Sequence, residues 1–234
     1  MKKIKIGLFG ASGKMGQSIR KSLDQKIFTP FLAVSSKSCD EFTFTVASLK
    51  NVEQEILEQV DVWVDFSSPK QLQELLRLTQ KTPIVSGTTG CTAGQIKKIK
   101  AAAKKRPLFW ASNMSLGVWA LRQAIKALGL IKDFDFKVED IHHTQKKDNP
   151  SGTAKTLRGD LEKIVNKKVT LPLGQRVGHV FGIHKITAGS KSETITFEHA
   201  ALNREVFAEG ALKAARWIIN KKHGYYSMDS LQEK

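Results

Sequence analysis

Ile4-Lys5-Ile6-Gly7-Leu8-Phe9-Gly10-Ala11-Ser12-Gly13-Lys14-Met15-Gly16 opens the chain with an apolar, strand-like run that meets glycines at positions 10, 13 and 16. Without a Cβ the backbone can turn sharply at Gly10 and approach a pyrophosphate at Gly13, while Gly16 lets the next helix sit against the sheet. The helix N-terminus then offers free N–H groups and a partial positive charge to the anion. The spacing is GxxGxxG and not the commoner GxGxxG, so it is the strand-to-helix context that points to a dinucleotide. An ordinary glycine-rich turn is the plain alternative.

Outward from that turn, the first half alternates β-branched apolar runs with amphipathic stretches, the pattern of a parallel sheet wrapped by helices. Strands are expected at Ile4 to Phe9, Phe31 to Ser35, Val60 to Phe66, Pro83 to Ser86 and Leu108 to Ala111. Helices are expected near residues 14–25, 48–59, 69–80, 92–105 and 115–130, with Pro69 suited to a first turn behind the hydroxyls of Ser67 and Ser68. From about Asp135 the character becomes α+β. Strand-like runs at Asp135 to His142, Arg176 to Thr187 and Glu193 to His199 surround one helix near Thr153 to Val165, and Val206 to Lys221 reads as a closing helix.

The second strand ends at Val34-Ser35-Ser36-Lys37, where an NAD-specific site usually has a carboxylate for the ribose 2′-hydroxyl. None stands here. Ser36 and Lys37 could instead bond and neutralise a 2′-phosphate, which favours NADPH over NADH. Two more turns, Val85-Ser86-Gly87-Thr88-Thr89-Gly90 and Trp110-Ala111-Ser112-Asn113-Met114-Ser115, follow strand ends. In a doubly wound sheet both should border the cofactor, with Gly87, Thr88 and Thr89 offering amides and hydroxyls to the nicotinamide ribose.

A length of 234 residues allows one large core or two modest ones, and a hydrophobic fraction of 41% is ordinary for a folded chain. No apolar run approaches the roughly 20 residues of a membrane span. A soluble, unexported, cytoplasmic protein is expected. Cys39 and Cys91 form no CxxC and leave no thiolate metal site to propose. The net charge of +16 creates a field that attracts phosphates, carboxylates and nucleic acid alike. Its densest stretch, Lys97-Lys98-Ile99-Lys100 with Lys104-Lys105-Arg106, reads as the solvated face of a helix capped by Thr92, with Ile96, Ile99 and Ala103 inward. The basic runs do not interleave with aromatics as a platform for stacked bases requires, so nucleic acid is not the expected partner.

Glu139-Asp140-Ile141-His142-His143-Thr144-Gln145-Lys146-Lys147-Asp148-Asn149-Pro150-Ser151-Gly152-Thr153-Ala154 packs most of the reactive groups into sixteen residues. His142 or His143 can donate a proton near neutral pH, and Lys146 supplies a positive charge for an anionic substrate. Backbone N–H groups around Gly152 and Thr153, opening a helix, suit a small carboxylate. Adjacent histidines on a strand point to opposite faces, and no third ligand stands at suitable spacing, so no metal is expected.

Gly10-Ala11-Ser12-Gly13-Lys14-Met15-Gly16, Gly87-Thr88-Thr89-Gly90, Ser112-Asn113-Met114-Ser115-Leu116-Gly117-Val118, the His142 to Ala154 segment and Glu198-His199-Ala200 with Phe207-Ala208-Glu209-Gly210-Ala211-Leu212 together resemble the 4-hydroxy-tetrahydrodipicolinate reductase family. The resemblance covers nearly the whole chain. It implies an α/β fold with a Rossmann-type dinucleotide-binding domain, residues 1–113 plus 205–234, and an inserted α+β substrate and oligomerisation domain, residues 114–204, on an open mixed sheet. It also implies a homotetramer and a nicotinamide-dependent reduction of a cyclic imine dicarboxylate in diaminopimelate and lysine biosynthesis. By carry-over, His142 is the general acid and Lys146 assists it, while His143, Gly152 and Thr153 grip the substrate. Gly10, Ala11, Ser12, Gly13, Lys14, Met15, Ser36, Lys37, Gly87, Thr88, Thr89, Ala111, Ser112, Asn113 and Met114 line the cofactor. His142 and Lys146 are expected across a cleft from the dinucleotide. Ser38 to Glu58 is short for the family, and Met114 stands where an aromatic is common. Two rivals stay open: a silent nucleotide-binding regulator that touches nucleic acid, and another Rossmann oxidoreductase, such as a semialdehyde dehydrogenase built on Cys91.

Overall fold

The computed structural model describes residues 2–79 and 81–232. In chain order the regular elements are β1 (Ile4–Phe9), α1 (Lys14–Ser22), β2 (Phe28–Val34), β3 (Phe44–Val46), α2 (Gln54–Glu58), β4 (Val62–Asp65), α3 (Pro69–Leu78), β5 (Ile84–Ser86), α4 (Ala93–Ala102), β6 (Pro107–Trp110) and α5 (Leu116–Ala124). There follow β7 (Asp135–His142), α6 (Gly152–Val165), β8 (Leu173–Arg176), β9 (Gly182–Gly189), β10 (Thr194–Ala201), α7 (Glu205–Ile218) and β11 (Gly224–Tyr226). They fall into two compact units, residues 1–114 with 207–234, and residues 115–206. No helix among the described residues is long and apolar enough to cross a membrane.

The first unit is built on a seven-stranded sheet in the order β11-β6-β5-β4-β1-β2-β3, with every pairing parallel. Strands of this kind are covered on both faces and therefore read as continuous apolar runs, as Leu8, Leu32, Val62, Val64, Ile84, Val85 and Leu108 do, all fully buried. Each such side chain contributes about 1.5–3 kcal/mol by leaving water. The order reverses between β1 and β4, which makes their carboxyl ends the place where a ligand binds in a doubly wound sheet. Local chemistry sets the helices. Ser68 caps α3 through Gln71, with Pro69 in the first turn, and Thr92 forms a reciprocal capping box with Gln95.

The second unit is a mixed sheet in the order β10-β9-β7-β8, antiparallel except for the β7–β8 pair. The crossover between those parallel strands is α6, capped by Ser151. Its Leu157, Leu161 and Val165 pack with Val138, Ile186 and Ala188 of the sheet and with Ile125 and Leu128 into a separate core.

Several expected elements differ. The run 115–130 is α5 followed by 3-10 turns at Ile125–Leu130, and 48–59 divides into a 3-10 turn at Leu49–Asn51 and the short α2. The strand expected over Arg176 to Thr187 begins only at Gly182, as β9; residues 177–181 are the connection from the end of β8, in which Gly178 takes a φ of 46°, a left-handed value that suits glycine. Strands β3 and β11, three residues each, and β8 carried no alternation long enough to read. Arg106, counted with the basic surface run, is buried, and its guanidinium donates to Thr79 Oγ1 at 3.0 Å and the Leu76 carbonyl at 2.8 Å. Burial pushes it down to about 10. It is an internal clamp, while Ile99 and Ala103 face inward as the periodicity indicated.

Candidate active site

At the carboxyl end of β1, Gly10 has a φ of 87°, and a Cβ there would stand 2.8 Å from the Phe66 carbonyl oxygen. The Gly10 and Ala11 amides each donate to the Val34 carbonyl at 3.1 Å, tying the turn to β2. Gly13 is the N-cap of α1, and a Cβ at Gly16 would overlap the Gly10 carbonyl oxygen. The first turn of α1 contains no acidic residue, and no side chain caps it. A close backbone approach, a sharp left-handed turn and a helix dipole free of competing carboxylates fit a dinucleotide pyrophosphate. Gly13 and Lys14 are exposed, Ser12 and Met15 half-buried, and Ala11 buried. Ser12 Oγ lies 3.3 Å from Ser36 Oγ, and Ser36 and Lys37 are exposed at the end of β2. The nearest following acids are already engaged, Asp40 by the Ser38 hydroxyl and Glu41 by Arg20.

The 86–90 turn hangs on a carboxylate that the sequence reading missed. Asp65, at the end of β4 and fully buried, accepts from the hydroxyls of Ser67, Ser86 (2.6 Å) and Thr88 (2.8 Å). Burial raises its pKa despite those three donors. Thr88 is therefore a support for the turn: its hydroxyl goes to Asp65 and its carbonyl accepts from Trp110 Nε1 at 3.1 Å, so the expectation of an outward hydroxyl there is corrected. Met114 is likewise buried, with its carbonyl packed on Gly210 of α7. Thr89 and Ser112 are exposed, Gly87 and Asn113 half-buried, and Ala111 buried. Burial pushes the Cys91 thiol up and the Asp65 charge adds to it, which disfavours a thiolate nucleophile.

In the second unit the alternation of β7 turns Val138, Asp140 and His142 inward and leaves Lys137 exposed and Glu139 and Ile141 half-buried. His142 is 7% exposed, and its Nδ1 lies 3.0 Å from Asp140 Oδ1, close but off the line of an ideal N–H···O bond. Asp140, fully buried, also accepts from the Ser151 hydroxyl at 2.7 Å and the Ser151 amide at 2.9 Å. His184 Nε2 and Arg176 Nη1 each lie 3.4 Å from it. Burial alone would raise this carboxyl; the donors His142, His184 and Ser151 hold it well below the usual carboxylate range. His184 forms ring contacts with His142 and His199 at 5.2 and 6.2 Å, and His199 Nε2 lies 3.3 Å from Ser115 Oγ. Burial, with help from His184, lowers the His199 pKa.

Lys146 follows in the loop after β7, and its Nζ sits 3.0 Å from Asp148 Oδ1. The other oxygen of Asp148 accepts from the Gly152 amide at 3.3 Å. Thus one carboxylate of the chain already bridges the lysine and the first amide of α6. Gly152 is exposed, and His143 and Thr153 are half-buried. Linear spacing offered no third metal ligand, yet the fold brings Asp140, His142 and His184 together, with donor atoms within 4.8 Å of one another. Arg176 beside the same carboxylate makes a cation costly there, so the cluster is better suited to holding imidazoles. Asp140 could have been found from its charge at an inward phase of the strand. His184 and Arg176, more than thirty positions away, could not.

A parallel sheet ordered in this way around a glycine turn, in a chain with a second unit carrying a buried imidazole, defines a dinucleotide-dependent oxidoreductase. Family models for dihydrodipicolinate reductase match the chain almost end to end, the N-terminal model over residues 4–114 and the C-terminal model over residues 115–231. A 4-hydroxy-tetrahydrodipicolinate reductase of Bdellovibrio bacteriovorus is 45% identical over 230 residues, covering 97% of this chain and 96% of the relative. One of Rickettsia canadensis is 36% identical over 248 residues, covering 97% and 98%. In fold, the chain is similar to a dipicolinate-bound dihydrodipicolinate reductase from Paenisporosarcina sp. TG-14, with a TM-score of 0.79 at 20% identity over 97% of this chain and 98% of that one. The chain belongs to the dihydrodipicolinate reductase family.

Proposed function

We propose that the protein reduces 4-hydroxy-tetrahydrodipicolinate, through its dehydrated form, to tetrahydrodipicolinate in diaminopimelate and lysine biosynthesis. The observation that carries this reading is a buried imidazole, His142, backed by a buried carboxylate and followed by a lysine and a helix N-terminus that already hold a carboxylate. A bound nicotinamide dinucleotide supplies the hydride. Lys146 and the amides of Gly152 and Thr153, with His143, hold the substrate carboxylates, as Asp148 is held in their stead. His142 gives a proton to the ring carbon beside the one that accepts hydride, so two hydrogens are added with charge balanced. Gly10 to Met15, Gly87 and Thr89, and Ala111 to Asn113 hold the cofactor, with Thr88 supporting the 86–90 turn through Asp65.

NADPH is the proposed donor over NADH. The exposed pair Ser36 and Lys37, with Ser12 beside Ser36, supports a 2′-phosphate, and the following acids are tied up in other bonds. The assembly is proposed to be a homotetramer in the cytoplasm, in keeping with two free cysteines.

Purified protein given enzymatically generated substrate should oxidise NADPH, seen at the nicotinamide absorbance band. His142→Gln should lose about 10²–10⁴-fold in kcat while its cofactor affinity holds. Absence of nicotinamide oxidation with authentic substrate sinks the assignment. Salt-sensitive binding of DNA in place of turnover would favour a regulator instead.

A further inference from the structure

Asp140 has more partners than a strand residue needs. It is fully buried on β7, two positions before His142 on the same face, and its two oxygens meet groups from the following loop, β8 and β9. Oδ1 takes the Ser151 hydroxyl and lies against His142 Nδ1 and His184 Nε2, while Oδ2 takes the Ser151 amide and lies against the Arg176 guanidinium. An ionised carboxylate accepts and cannot donate, so the imidazole nitrogen that faces it must carry the proton. That leaves Nε2 as the exchangeable end of His142. The space at that end is kept by Gly182 of β9, where a Cβ would stand 2.8 Å from His142 Nε2.

We propose that Asp140 is the positioning residue of the acid site. It fixes the His142 ring in the Nδ1-protonated tautomer with Nε2 turned to deliver the proton, and its charge stabilises the imidazolium that Nε2 discharges. The off-line contact in the free protein belongs with this role, because such bonds commonly straighten when substrate closes the site. In this role Asp140 acts on the reaction through His142. The inference rests on His142 being the acid, and the test keeps the two ideas apart.

The first readout needs no variant of Asp140. With ¹⁵N-labelled histidine, and the His142 resonances assigned by their loss in His142→Gln, the neutral ring should show a protonated Nδ1 and a bare Nε2. The opposite tautomer overturns the proposal. The second readout is a double-mutant cycle on kcat. Asp140→Asn alone should lose about 10²-fold or more, with nicotinamide affinity unchanged, yet should cost nothing further in a His142→Gln background. A full additional loss in that background would assign Asp140 a structural role in holding Ser151, the cap of α6, and clamping Arg176, and the proposal fails. Full turnover in His142→Gln defeats the acid reading itself, whatever Asp140 does. If Asp140→Asn does not fold, Asp140→Ser enters the same cycle, and the tautomer measurement on the unaltered protein still decides.

Discussion

Asp148 shows how much a single side chain can say about a binding site. Burial opposes its ionisation, but Lys146 together with the backbone amides of Asp148 and Gly152 outweighs that and holds the carboxyl below the usual range, so it remains charged throughout any neutral assay. In the proposed substrate placement it competes with an incoming carboxylate for the lysine and the Gly152 amide. Asp148→Asn keeps the shape and removes the charge. Because the contact is half exposed, a gain of about two- to five-fold in affinity for dipicolinate is expected, by isothermal titration, and the gain should be flat from pH 6 to 9, roughly, because Asp148 does not titrate there. Weaker binding would mean that Asp148 holds Lys146 in place instead of blocking it. At this scale the sequence was legible where chemistry is local. His142, Lys146 and Gly152 sit within eleven residues and could be read as one group, whereas Asp65 was hidden by its ordinary surroundings, Asp140 was signalled only by a charge at an inward phase of β7, and His184 is brought in only by the register of β9 on β7, where it pairs with Asp140.

Elements were legible in proportion to how strongly they repeat. The core strands β1, β4 and β5 announced themselves by unbroken apolar runs, and α3 and α4 by cap residues, because burial and capping are both written in the nearest few side chains. Strands β3, β8 and β11 owe their pairing to neighbours far along the chain and were not legible. The glycine turn separates two jobs that one motif performs. A Cβ at Gly16 would overlap the Gly10 carbonyl oxygen, so Gly16→Ala should cost about 1–3 kcal/mol by overpacking and lower the melting temperature. At Gly13 the same atom would meet only Gly10 O, at 3.3 Å, and the residue is exposed. Gly13→Ala should leave denaturant unfolding nearly unchanged and weaken NADPH binding, followed by quenching of protein fluorescence. Equal effects of the two substitutions on both measurements would refute the division.

The proposed assembly turns on what the second unit leaves uncovered. One face of its sheet is sealed by α6 and the 3-10 turns after α5. The other carries three rows in register across β7, β9 and β10: Ile141, Ile183 and Ala200; Glu139, Lys185 and Glu198; Lys137, Thr187 and Thr196. The middle row alternates acid, base and acid, and the first is apolar and only partly buried within one chain. Such banding suits a face that meets its own copy about a two-fold axis, where an apolar row is covered and charged rows can pair in opposite sense. The homotetramer proposed above would use this face. Sedimentation equilibrium should then give the mass of four chains at micromolar concentration. Ile183→Glu, which puts a charge in the apolar row and points away from Asp140 and His142, should drive the species to lower mass while far-UV circular dichroism is retained. A chain that sediments as a monomer, or an Ile183→Glu variant that stays tetrameric, would remove this face from the assembly.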